Sequence, residues 1–164
     1  KPAQVLDIAS NQGMFSLISV RAGHSVLSID NDISTIDYLY KFKKNNNLPI
    51  IPAVVDFHEL KDENCQRFKS PYVLALGFTH HLYLVEKFSW NDISNILSEL
   101  SKQVLVTEFK FDTAALGNEK VISNEWKKEY KIDNFILSLK KHFKIVKVLN
   151  LNSIEQRKII FCKK

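Results

Sequence analysis

The stretch Val5-Leu6-Asp7-Ile8-Ala9-Ser10-Asn11-Gln12-Gly13-Met14-Phe15-Ser16-Leu17 constrains the fold of this chain more than any other. It reads as a short buried strand, a tight turn over residues 9–13, and a helix with apolar residues at Met14, Phe15, Leu17 and Ile18. Gly13 permits close approach of the backbone to a ligand, and Asn11 tolerates a left-handed conformation better than most residues. The first amides of the helix lack intrahelical acceptors and are expected to face the crevice at the end of the strand. A strand, a small-residue turn and a helix start in this order make a ligand cradle.

Asp7 separates two kinds of nucleotide cradle. A dinucleotide fingerprint, G-x-G-x-x-G, sets its glycines under a pyrophosphate at a helix start. Here Ala9, Asn11 and Gly13 stand in those places, and a carboxylate precedes them at the strand end. An acid there repels a pyrophosphate and attracts an ammonium or sulfonium group. The stretch resembles motif I of the class I S-adenosylmethionine-dependent methyltransferases, Asp-x-Gly-x-Gly-x-Gly, keeping Asp7 and Gly13 and departing at Ala9 and Asn11. The resemblance implies an α/β fold: a Rossmann-like three-layer α/β/α sandwich whose seven-stranded, mostly parallel sheet ends in a C-terminal antiparallel hairpin. It also implies that Asp7 and the turn residues Ala9, Ser10, Asn11 and Gly13 hold the methionine end of the cofactor.

The rest of the chain alternates accordingly. Gly23 caps the first helix, and residues 25–29 form a second strand that ends on Asp30-Asn31-Asp32. Asp30 lies a little under 20 residues beyond Gly13, where an acid binds a ribose hydroxyl pair in nucleotide-binding βαβ units. Alternatively, Asp30 or Asp32 caps the next helix. That helix covers residues 33–44, with Ile36, Leu39, Tyr40 and Lys43 on one stripe. The third strand, residues 50–55, contains Pro52, which lacks an amide donor and belongs at or near a sheet edge. In the family pattern an acid just after this strand accepts a hydrogen bond from the adenine amino group. Asp56 matches by position and Phe57 is placed to pack on the ring, unless Asp56 is an ordinary loop acid.

Residues 57–68 read as a short helix or an irregular crossover. The apolar run 72–78 is a central parallel strand, and it leads into Thr79-His80-His81-Leu82. A His-His-Leu after the fourth strand is the second point of resemblance. On an extended segment the two imidazoles point to opposite faces, and no third ligand is spaced to help, so no metal is expected. One of His80 and His81 is expected to face the transferred methyl and take a proton from an attacking hydroxyl. The alternative for each is a structural histidine bonded to a neighbouring loop.

Ser89-Trp90-Asn91-Asp92 has the form of a capped helix start, followed by Ile93, Ile96, Leu97 and Leu100 at helical spacing. A fifth strand over 103–109 carries Glu108 near its end, there to contact the acceptor or to pair with Lys110. The polar excursion 111–131, with Gly117 and Trp126, is expected to cover the acceptor site. A last helix at 134–142 precedes strands at 143–149 and 158–162, whose short connection demands an antiparallel hairpin.

Composition narrows the partners. The 164 residues suffice for one domain spanning 1–164, and a strand so soon after Lys1 is expected to follow a missing N-terminal region. The apolar run 72–78 is far too short to cross a bilayer. Cys65 and Cys162 have no metal spacing, which points to a reducing, cytoplasmic setting. The net charge of +5 comes from lysines that are scattered or lie along helix faces, which argues against nucleic acid as a partner. The Asn-Pro-Pro-Tyr-type motif of nucleic-acid amino methylases is absent after the fourth strand. The leading reading is therefore S-adenosylmethionine-dependent methyl transfer to a small-molecule or sugar acceptor, at oxygen. The first segment is also similar to methyltransferases that modify bacterial surface glycans and nodulation-type oligosaccharides. The alternatives are a non-catalytic interaction module of the same fold and a nicotinamide-dependent oxidoreductase. Asp7, the missing glycines and the closing hairpin argue against the latter.

Overall fold

The structure, a computed structural model, describes residues 2–60, 66–111, 124–150 and 156–164. Its strands are β1 (Gln4–Ile8), β2 (Ser25–Asp30), β3 (Ile50–Val54), β4 (Ser70–Ala75), β5 (Ser101–Lys110), β6 (Ile145–Asn150) and β7 (Arg157–Lys163). The helices are α1 (Met14–Arg21), α2 (Ile33–Asn45), α3 (Thr79–Leu84), α4 (Trp90–Leu100), α5 (Asn124–Glu129) and α6 (Ile132–Leu139). The seven strands form one sheet in the order β3-β2-β1-β4-β5-β7-β6. All neighbours are parallel except β7, which runs antiparallel to both β5 and β6. This is the expected Rossmann-like sheet with its reversed strand. Residues 61–65 with Cys65, 112–123 with Gly117, and 151–155 between the last two strands lie outside the described residues.

Local chemistry sets the order. β3 pairs only with β2, so Pro52 takes an edge where its missing donor costs no ladder bond. β1 lies between β2 and β4, and its Val5, Leu6, Asp7 and Ile8 are all buried. Alternation sends Leu6 and Ile8 to one face, into a core with Val73, Leu97, Leu105, Phe135 and Ile160. Val5 goes to the other face with Val26, Leu39 and Ile50. α1 and α2 cover β1 to β3, while α4 packs on β4 and β5 with α6 against it. The Ser89–Asp92 capping box forms as expected. Gly23, at φ 87°, closes α1: its N–H bonds Val20 O and the His24 N–H bonds Ser19 O.

The first two helices differ from the sequence pattern in which residues they bury. α1 turns Ser16 and Ser19 inward and leaves Met14 and Ile18 62% and 54% exposed. A polar network beneath the helix, described below, claims the inner face. On α2, Ile36 and Leu39 are buried while Tyr40 stays exposed. Gly13 also has a structural reason besides any ligand. Its φ is 81°, and a Cβ there would stand 2.6 Å from Leu39 Cδ1. The glycine lets the start of α1 pack on α2.

Gly13→Ala is expected to cost about 2–5 kcal/mol, the sum of a left-handed alanine and overpacking against Leu39. Urea unfolding of the variant measures this, and a loss under about 0.5 kcal/mol would show that Leu39 yields without strain.

Candidate functional site

In the order β2-β1-β4, connections leave β1 in opposite directions, which opens a crevice beyond the strand ends. The loop after β1 sits there. Ala9, Asn11 and Gly13 all adopt left-handed conformations, at φ 54°, 49° and 81°. These are the glycine positions of the motif, so the loop keeps its shape with only its last glycine. Each non-glycine residue held this way costs about 1–2 kcal/mol. Hydrogen bonds hold it nonetheless. The Ser10 N–H donates to Ile29 O at 3.0 Å, and the Gly13 N–H to Ser10 O at 2.8 Å. The Asn11 N–H donates to Asp30 Oδ2 at 2.8 Å, while Asp30 Oδ1 accepts from the Asp32 N–H at 3.0 Å. Asp30 thus ties the loop to the tip of β2. Asp32 is the residue that caps α2, accepting from the Ser34 and Thr35 amides. Bonds from the Ser34 hydroxyl and amide hold its carboxyl below the usual range.

Asp7 faces away from the crevice. The Ser16 hydroxyl donates to Asp7 Oδ2 at 2.5 Å. With that proton committed, the Ser28 hydroxyl donates to Ser16 Oγ at 2.7 Å. The Ser16 amide also bonds Asp7, so the acid caps the start of α1, where Gly13 has no side chain to do so. At least one of the helix's first amides therefore points into the sheet rather than into the crevice. Burial pushes the Asp7 carboxyl up to about 6, against the lowering bonds from Ser16, and nearby Asp30 adds to the rise.

A cavity of ≈ 290 Å³ opens beside the loop. Ala9, Asp30, Asn31, Asp56, Phe57 and His81 line it, joined by Ile8, Ile29, Val55, Phe78 and Leu82. Of the residues singled out from sequence, Asp7, Ser10, Asn11, Gly13 and His80 are not part of its lining. Asp56 Oδ1 accepts from the His58 N–H at 2.8 Å and so caps a single 3-10 turn, Phe57–Glu59. Its Oδ2 has no protein partner among the described residues. Phe57 stands edge-on to Phe78 and Phe88, at 5.4 and 5.6 Å between ring centres, which makes one wall rigid and aromatic. Sequence reading missed His58 and Glu86. They line the cavity too, with His58 Nε2 3.0 Å from Glu86 Oε2. No local pattern signals a pair 28 positions apart.

The two histidines lie in α3 rather than on an extended segment. Their rings are 4.3 Å apart, yet their surroundings differ. His81 is exposed and lines the cavity. His80 is 4% exposed, and its Nδ1 has no hydrogen-bond partner. Burial, then His81, Lys110 and Arg157, bring it down to about 4. Glu108 is buried and pairs with Arg157 of β7 rather than with Lys110. Among the described residues no three His, Cys, Asp or Glu side chains are grouped to hold a metal, and no helix is long and apolar enough to cross a membrane.

Because Asp7 binds a proton more tightly folded than unfolded, its contribution is full below about pH 4 and is lost as pH rises through about 6. The size is on the order of 3 kcal/mol. Asp7→Asn, which keeps an acceptor for Ser16, is expected to flatten the decline in stability between about pH 4 and 6 and to be the more stable form at pH 8. Urea unfolding across that range checks it, and parallel curves for the two proteins would refute it.

No family model and no curated protein matches the sequence. Solved structures do match. WbdD, described as a bifunctional kinase-methyltransferase, superposes with a TM-score of 0.73 at 17% identity over 99% of this chain and 36% of its own. The PH0226 protein of Pyrococcus horikoshii OT3 gives 0.72 at 16% identity, over 99% and 82%. A structure from work on conversion of a disulfide bond into a thioacetal group in echinomycin biosynthesis gives 0.69 at 12%, over 98% and 75%. The chain thus spans about a third of WbdD. The fold of the chain is that of the class I methyltransferases.

Proposed function

We propose that the chain binds S-adenosylmethionine and transfers its methyl group to a hydroxyl of a small-molecule or sugar acceptor. The observation that carries this reading is the cavity itself, where Asp30 and Asp56 come from successive strand ends and meet an aromatic wall. The donor set fits a nucleoside. Each Asp30 oxygen accepts one backbone amide and keeps a second lone pair for a ribose hydroxyl. Asn31 lies beside it in the cavity lining. Asp56 Oδ2 would accept from the adenine amino group, with Phe57 against the ring. Ala9, Ser10, Asn11 and Gly13 would enclose the methionine end. Asp7 would act through the helix start it holds in place.

When bound, S-adenosylmethionine supplies a methyl group already activated on a sulfonium. His80 Nδ1 would take the proton of the acceptor's hydroxyl. Its low proton affinity keeps the imidazole neutral, and so able to accept, across physiological pH. His81 would close the cofactor side of the same helix. The remaining work is alignment of nucleophile and methyl.

Titration calorimetry tests the cofactor reading. S-adenosylhomocysteine is expected to bind, and Asp30→Ala to weaken it about 10- to 100-fold through lost charge-assisted hydrogen bonds. Binding of NAD in its place would overturn the reading. With a methyl acceptor in hand, the rate is expected to show no inflection near pH 6.5, because His80 titrates near 4.

A further inference from the structure

A second group of polar side chains meets where β5 ends and β7 begins. Lys110 and Arg157 oppose each other across the antiparallel ladder, and Glu108, two residues back, shares their face of the sheet. The Thr79 hydroxyl donates to Glu108 O at 2.8 Å, which seats the start of α3, and His80 with it, against this group. Tyr130 closes another side, its hydroxyl donating to Lys110 O at 2.7 Å. Burial and the Glu108 charge raise its phenol well above the usual range, so it stays neutral.

The ion pair in this group is loose. Arg157 Nη1 stands 3.5 Å from both Glu108 oxygens, against the ~2.8 Å of a closed charge-assisted bond. The Glu108 side chain is 5% exposed and that of Arg157 41%, so the carboxylate lies beneath and the guanidinium faces outward with donors to spare. Among the described residues two cations, Lys110 and Arg157, meet one carboxylate, Glu108, at this edge of the ladder. Lys110 and Arg157 both act electrostatically on His80, which is buried with an unpartnered Nδ1. A buried polar atom without a partner is costly until an incoming group satisfies it.

We infer that Arg157 and Lys110 bind an anionic group, carboxylate or phosphate, on a ligand whose hydroxyl reaches His80 Nδ1. The name acceptor for this ligand rests on the methyl-transfer reading, whereas the anion site rests on the side chains themselves. A neutral sugar leaves the outward donors of Arg157 unmatched and is disfavoured.

The test follows the His80 imidazole and Arg157 guanidinium signals of the intact chain by NMR at constant ionic strength in chloride. Inorganic phosphate, glucose 6-phosphate, glucuronate and glucose are the probes. Anionic probes are expected to move both signals saturably and glucose to leave them in place. Arg157→Gln is expected to weaken the response at least about tenfold, one charge-assisted contact, with Arg157→Lys recovering part of it and Lys110→Gln giving a second, independent loss. Affinity for S-adenosylhomocysteine should be unchanged in these variants. Saturation by the phosphates alone assigns a phosphoester ligand, and saturation by glucuronate alone a carboxylate. Signals that stay still with every anion, or move as far in Arg157→Gln, overturn the proposal. Anion binding without S-adenosylhomocysteine binding would remove the cofactor reading and leave this site standing, and the opposite result would do the reverse.

Discussion

The carboxylate of Asp30 holds the mouth of the crevice in shape. It reaches from the tip of β2 to the Asn11 amide and back to the Asp32 amide, so one side chain fixes both the first loop and the entry to α2. This explains how Ala9 and Asn11 can stand where the motif has glycine. The loop's left-handed residues each cost about 1–2 kcal/mol, and a charge-assisted bond to a backbone amide returns about 1.5–3. Loop shape here depends on what the backbone is bonded to, and only at Gly13 also on the space left by Leu39.

A second carboxylate supports the first from below. Asp7 binds the third residue of α1 through its hydroxyl and engages its amide, with Ser28 completing the network. Its burial carries a cost, seen in the raised proton affinity. In return the helix start is held at a set height above the sheet. The motif acid is thus tied to the scaffold, while Asp30 and Asp56 present oxygens to the cavity.

Much of this was legible in the sequence because it depends on period and punctuation. Apolar runs marked the strands, Pro52 marked the edge, and the short span before Lys158 demanded a reversal. Asp30 and Asp56 could be placed because strand ends are readable and acids there are few. What escaped depends on contacts between distant segments. Ser16 and Ser19 face inward against the apolar pattern because Asp7 awaits one of them across the interface. The strand before α3 ends at Ala75, but the apolar run continues to Phe78 and hides the boundary. His58 with Glu86, and Glu108 with Arg157, are pairs that only the folded register brings together.

The placement of α3 has a consequence for how this chain can vary. Its six residues put His81 on the cavity and His80 beside Lys110 and Arg157, so one short helix serves two compartments by angle alone. Each residue of a helix advances about 100° around its axis. A single residue inserted between Thr79, anchored on Glu108 O, and His80 would swing both imidazoles out of place at once without changing either of them. Length at that point is held as tightly as identity, and divergence there can proceed by substitution far more readily than by gain or loss of residues.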